Sequence, residues 1–184
     1  MIFLVVVAAK DPDKQLFKLL QCHGGRISLL NVRTLSAKLE GETPDLVFAT
    51  GPRFPRLSCE NAVLILRNGR ELPVGPVNRH AIAILNSSDP RTLKQAASRH
   101  LPALTCGRLS SDTFTLSSLT PDSAVISLQR PVHTFDGSTV EPFELPAAFS
   151  FPPDPFCLLA CAAIFCLLGK KNPLAGLSRW HLSP

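Results

Sequence analysis

Lys14 stands where a phosphate-binding lysine stands in many α/β proteins. It follows an apolar strand and a short polar turn, and it opens a helix. Such a lysine neutralises phosphate charge, while glycine backbone N–H groups cradle the anion and a following Ser or Thr holds Mg²⁺. The turn Ala8-Ala9-Lys10-Asp11-Pro12-Asp13-Lys14-Gln15 has no glycine, and Gln15 follows the lysine. Asp11 and Asp13 would repel a triphosphate. Lys14 therefore reads as a helix-surface lysine. A second polar group, Asn86-Ser87-Ser88-Asp89-Pro90, lies between an apolar strand and a helix. Its favoured role is structural: Asn86 and Ser87 can cap the helix, and Asp89-Pro90 can open it.

Other constellations are weaker. Ser, His and Asp are present, but there is no G-x-S-x-G elbow for a hydrolase. His80, His100 and His133 lack metal-ligand spacing. Cys22 and His23 are adjacent, and neighbours on a helix do not face each other. Six cysteines include no C-x-x-C pair, so zinc and thioredoxin-like chemistry have no support. Three of them fall in one apolar run, where Cys acts as a small hydrophobe, so a reduced cytoplasmic protein is expected.

The composition supports a packed core. Hydrophobic residues make up 45% and charged residues 18% of 184. Seventeen prolines against ten glycines point to stiff loops. The net charge of +5 is spread out, and no aromatic residues interleave with Arg53, Arg56, Arg67 and Arg70 as a base-stacking platform requires. Nucleic acid is not an expected partner. Met1 to Ala9 lacks a basic n-region and a cleavage site, and is read as a strand rather than a signal peptide. Phe156 to Leu168 is bounded by Pro155 and Gly169, and is too short for the ~20 residues of a membrane span. It reads as a buried helix.

These residues must be positioned by alternating elements. Ile2 to Ala8 is a continuous β-branched run, the pattern of a strand covered on both faces. A helix from Lys14 to Leu20 and a strand from Arg26 to Val32 complete a right-handed parallel crossover. Leu35 to Glu42 reads as loop or strand edge. Further strands are expected at Leu46–Ala49, Ala62–Leu66, Ala81–Leu85 and Ala103–Gly107, with a helix at Arg91–His100. After Gly107 the pattern alternates: Thr113–Leu116, Ala124–Leu128, Val132–Phe135 and Val140–Leu145, with an Asp136-Gly137 turn, read as an antiparallel meander.

The stretch AIAILNSSDPRTLKQAASRHLPALTCGRLSSDTFTLSSL, residues 81 to 119, resembles the central domain of the Mur ligase family. These are the ATP-dependent amide ligases of peptidoglycan synthesis, to which folylpolyglutamate synthase is related. The family shows a strand ending in N-x-D-D-P, a helix, a short strand ending in Tyr-Gly or Phe-Gly, and a small antiparallel sheet. The hairpins to Leu145 and the helix closing on Leu167-Leu168-Gly169 continue that order. The resemblance thus covers residues 1 to 169, leaving 170 to 184 as a C-terminal tail. It implies an α/β fold: a mostly parallel, P-loop-like sheet flanked by helices, with a small antiparallel β subdomain. Family members are much longer, and their N-terminal substrate domain and C-terminal Rossmann-like domain are expected to be missing here.

The same resemblance implies a degenerate site. Against the family loop G-x-x-G-T-N-G-K-T, Lys14 falls at the lysine, Asp13 at the preceding glycine and Gln15 at the Thr. No carboxylate follows Asp45–Thr50, where the family has a metal-binding Glu. Leu66-Arg67-Asn68-Gly69 replaces a T-R-D-H-type motif, and Phe151 to Cys157 lacks the His and Asn of H-N-x-x-N. Lys14, Asn86 and Asp89 are then vestigial nucleotide-site residues, with no catalytic or metal-binding residue and no cofactor. The expectation is an inactive bacterial cytoplasmic protein whose partner is another protein, as scaffold or regulator in cell-wall synthesis. The alternative is an ATP-dependent amide ligase, or a ligase subunit, that uses ATP and Mg²⁺ at an atypical site.

Overall fold

The computed structural model describes residues 2–7, 14–23, 27–31, 36–37, 46–51, 61–67, 70–72, 77 and 80–182. In chain order the elements are β1 (Ile2–Val7), α1 (Lys14–His23), β2 (Ile27–Asn31), β3 (Ser36–Ala37), β4 (Leu46–Gly51), β5 (Ala62–Leu66), β6 (Ile82–Asn86), α2 (Pro90–Ser98), β7 (Ala103–Gly107), β8 (Phe114–Leu119), β9 (Ser123–Leu128), β10 (Val132–His133), β11 (Thr139–Val140), β12 (Phe143–Phe149), α3 (Pro155–Leu167) and β13 (Trp180–Leu182). A 3₁₀ turn, Gly169–Lys171, follows α3.

Among the described residues, eleven strands form one sheet in the order β13-β12-β9-β8-β7-β6-β5-β1-β4-β2-β3. From β2 to β8 every neighbouring pair is parallel. The fold is the expected mostly parallel α/β sheet flanked by helices. The antiparallel strands β8, β9 and β12 continue the same sheet. Among the described residues, only β10 and β11 form a separate two-stranded sheet.

The continuous apolar runs have the cause expected of them, since both faces of the sheet are covered. All five residues of β5 are buried. Val63 and Ile65 join a large core with Leu16, Leu19 and Leu20 of α1 and the whole body of α3. Leu64 and Leu66 face the other way, into a smaller core with Leu72, Ala83, Leu85 and Ala96 of α2. Every residue of α3 after Pro155 is buried, which explains a helix that is apolar on all sides. Among the described residues, no helix is long and apolar enough to cross a membrane.

Two differences from the sequence pattern have clear causes. The expected single strand from Val140 to Leu145 is split. Thr139–Val140 pairs with β10, while Phe143–Phe149 pairs with β9 and runs four residues further than expected. Pro142 lies at the break and has no N–H for a ladder. The end of the chain, left unassigned by its pattern, supplies β13. Trp180 and Leu182 are buried there, and Trp180 pairs with Ala147 in parallel register.

Candidate functional site

Open α/β sheets hold ligands beyond the carboxyl ends of their parallel strands. Here β5, β6 and β7 end at Leu66, Asn86 and Gly107, near the start of α3. The three segments meet through side chains far apart in sequence.

At the end of β5, Arg67 Nη1 donates to Asp154 Oδ1 at 3.1 Å and to Cys157 Sγ at 3.3 Å. The guanidinium also lies over the Phe156 ring, 5.5 Å from its centroid. Asp154 is the N-cap of α3, accepting from Cys157 N at 2.9 Å. Burial raises the Asp154 carboxyl. The Arg67 hydrogen bond, the Cys157 N–H and the Arg67 charge outweigh it and hold the group below the usual carboxylate range.

Between β6 and β7, Ser87 Oγ donates to Asp112 Oδ2 at 2.9 Å, and Leu109 N donates to the same oxygen at 2.9 Å. Asp112 is buried. Gly107 passes directly against this pair: a Cβ there would overlap Ser87 Oγ and lie 2.5 Å from Asp112 Oδ2. Only glycine allows so close an approach. Beside the lock is a cavity of about 390 Å³, lined by Asn86, Ser87, Cys106, Arg108, Leu116, Phe156 and Leu159 among others. Burial, and then the Asp112 charge, push the Cys106 thiol far above the normal thiol range.

The residues singled out in the sequence are placed as follows. Lys14 is the first residue of α1. The turn before it, residues 8–13, lies outside the described residues, as do Asn68 and Gly69 after Arg67. Asn86 ends β6 and lines the cavity. Its Oδ1 accepts from Ser88 N at 3.0 Å and Ser88 Oγ at 2.7 Å, an Asx turn. Asp89 is the N-cap of α2, accepting from Arg91 N at 3.1 Å and Thr92 N at 3.4 Å, with Pro90 at the first helical position. Asn86 and Asp89 thus share one turn, closed by Asp89 N donating to Asn86 O at 3.0 Å. Lys14 begins a helix packed in the core on the opposite side of the sheet from α2.

Arg67, Asp112 and Asp154 were not legible as a site. The one available signal was Asp154-Pro155 before an apolar run, the same Asp-Pro helix opening as Asp89-Pro90. Chemically, Asp89, Asp112 and Asp154 each hold a loop or helix start through hydrogen bonds, and Asp154 is neutralised by Arg67.

No family model matches this sequence, and no curated protein matches it. Solved structures do. A murein peptide ligase from Psychrobacter arcticus superposes with a TM-score of 0.58 at 12% identity, over 96% of this chain and 46% of that one. MurF from Acinetobacter baumannii gives 0.49 at 14% identity, over 96% and 45%. A UDP-N-acetylmuramoyl-L-alanyl-D-glutamate–2,6-diaminopimelate ligase gives 0.46 at 11% identity, over 94% and 44%. At these identities the likeness is one of fold, and the first superposition carries it: the chain has a Mur-ligase-like fold. It spans less than half the length of these structures.

Proposed function

We propose that the chain is a catalytically inactive Mur-ligase-like protein that works through contacts with another protein, as a scaffold or regulator of peptidoglycan synthesis in the bacterial cytoplasm. The observation that carries this is the Arg67–Asp154 pair at 3.1 Å. It ties the end of β5 to the start of α3 at the rim where a nucleotide and its metal would be held. The donor set there fits a Mg²⁺-nucleotide poorly. Asp154 is matched to a guanidinium and a helix N-terminus, Asp112 to Ser87 and Leu109, and the cavity wall includes the apolar side chains of Leu116, Phe156 and Leu159. Phosphoryl transfer depends on positioned phosphates and metal, and the sequence of the Lys14 turn lacks the groups that position them.

The test is capture with the purified chain as bait. Stoichiometric recovery of a peptidoglycan ligase or another cell-wall synthesis protein is expected. Nothing recovered above an unrelated bait contradicts the proposal.

A second reading is an ATP-dependent amide ligase, or a ligase subunit, with an atypical site. It is favoured by Lys14 at the start of α1 and by Asn86 on the cavity wall. It requires ATP-dependent thermal stabilisation that Lys14→Ala abolishes, and no shift in either protein removes it.

A further inference from the structure

The cavity at the ends of β6 and β7 has a chemistry of its own, separate from the protein contacts proposed above. Its volume of about 390 Å³ falls within the range of roughly 300–1,000 Å³ typical of small-molecule sites. Its body is apolar: Cys106 at the end of β7, Leu116 of β8, and Phe156 and Leu159 on the first turns of α3. Leu159 and Phe156 belong to the main core, so this wall is preformed rather than loosely draped. Among the described residues, Arg108, exposed, is the one cationic side chain on the lining.

The neighbouring acids are already engaged. Asp112 accepts from Ser87 and Leu109 behind Gly107, and Asp154 accepts from Arg67 and Cys157. A polyphosphate would need several convergent donors, whereas a single guanidinium matches one carboxylate in a two-pronged pair. An apolar body alone would leave Arg108 unused.

We propose that this cavity binds a small molecule with an apolar body and one carboxylate, the body lying against Leu116, Phe156 and Leu159 and the carboxylate against Arg108. Binding there touches the Ser87–Asp112 lock and the start of α3 together, so an occupied cavity would stiffen the joint between the two halves of the rim.

The test uses 4-phenylbutyrate and its uncharged amide on the full chain, followed by thermal shift and by amide chemical shifts. Saturable stabilisation by the acid is expected, with the largest shifts at Ser87, Gly107 and Leu109. The amide should bind about threefold more weakly, the scale of one exposed ion pair. Arg108 is exposed, so Arg108→Gln should fold normally, and it should erase the difference between acid and amide; Arg108→Lys should restore part of it. Equal binding of acid and amide to the unaltered chain, shifts centred elsewhere, or an undiminished preference in Arg108→Gln would each overturn the proposal.

Discussion

Arg67 Nη1 donates to Asp154 Oδ1 across 3.1 Å, joining positions 87 residues apart at the end of β5 and the start of α3. The bond anchors the most buried helix of the fold to the centre of the sheet. Asp154 serves twice, as ion-pair partner and as N-cap. Asp154→Ala should lower stability by about 1–2 kcal/mol, most of it the lost cap, because the pair is about a third exposed and partly screened. Arg67→Ala should cost less. Urea denaturation of both variants checks the order, and equal loss in the two would argue against the dual role.

The Asp136 carboxylate accepts from Lys170 N at 2.9 Å and from Ser138 N at 3.1 Å, and it also bonds the Thr134 and Ser138 hydroxyls. The Lys170 N–H first, then those hydroxyls and the Ser138 N–H, hold it far below the usual carboxylate range. Asp154 is also depressed. A carboxyl whose folded pKa is lowered adds stability above its unfolded value, about 4, and loses it as pH falls through the folded value. Stability should therefore be flat near neutral pH and fall below pH ~4. The fall should be shallower in Asp136→Asn, which is already weaker at pH 7. Urea midpoints from pH 7 to pH 2 test this.

Two glycines should resist substitution for different reasons. Gly107→Ala places a methyl group on the Ser87–Asp112 hydrogen bond and should cost about 1–3 kcal/mol by overpacking. Removing the Ser87 hydroxyl in the same chain, with Ser87→Ala, should recover part of the loss. Gly169 has φ of +61°, and a Cβ there would strike the Asp136 carboxylate. Gly169→Ala should therefore be destabilising, and Asp136→Ala should relieve only the steric part. Thermal midpoints of the single and paired variants check both.

Cys106, Cys157, Cys161 and Cys166 are all buried. Burial pushes Cys166 up to about 12 against a small opposing effect of the Asn172 amide. Cys106 is raised further by burial and the Asp112 charge. Thiolate is the reactive form, so Cys106 and Cys166 should resist iodoacetamide at pH 8 in the folded protein; burial alone shields Cys157 and Cys161, and all four should react in urea. Peptide mapping by mass spectrometry reads this directly.

The parallel half of the sheet was legible because burial on both faces writes continuous runs such as Ala62–Leu66. The Asn86 and Asp89 turn was legible because Asx capping acts over two or three residues. The Asp136-Gly137 turn was equally local, with Gly137 at φ +81°. Arg67–Asp154 and Ser87–Asp112 were not, since nothing local to an arginine or a serine names a partner many residues away. β13 escaped for a similar reason: three residues carry little periodicity, and their pairing with β12 is set by tertiary contact. The cavity is assembled from β6, β7, β8 and α3, so no single stretch shows it.

The central proposal is that the rim no longer handles a nucleotide. Isothermal calorimetry of the full chain with ATP and Mg²⁺, run beside Lys14→Ala, tests it most directly. Heats indistinguishable from dilution are expected for both proteins. Saturable, Mg²⁺-dependent binding by the unaltered chain that Lys14→Ala abolishes would contradict it.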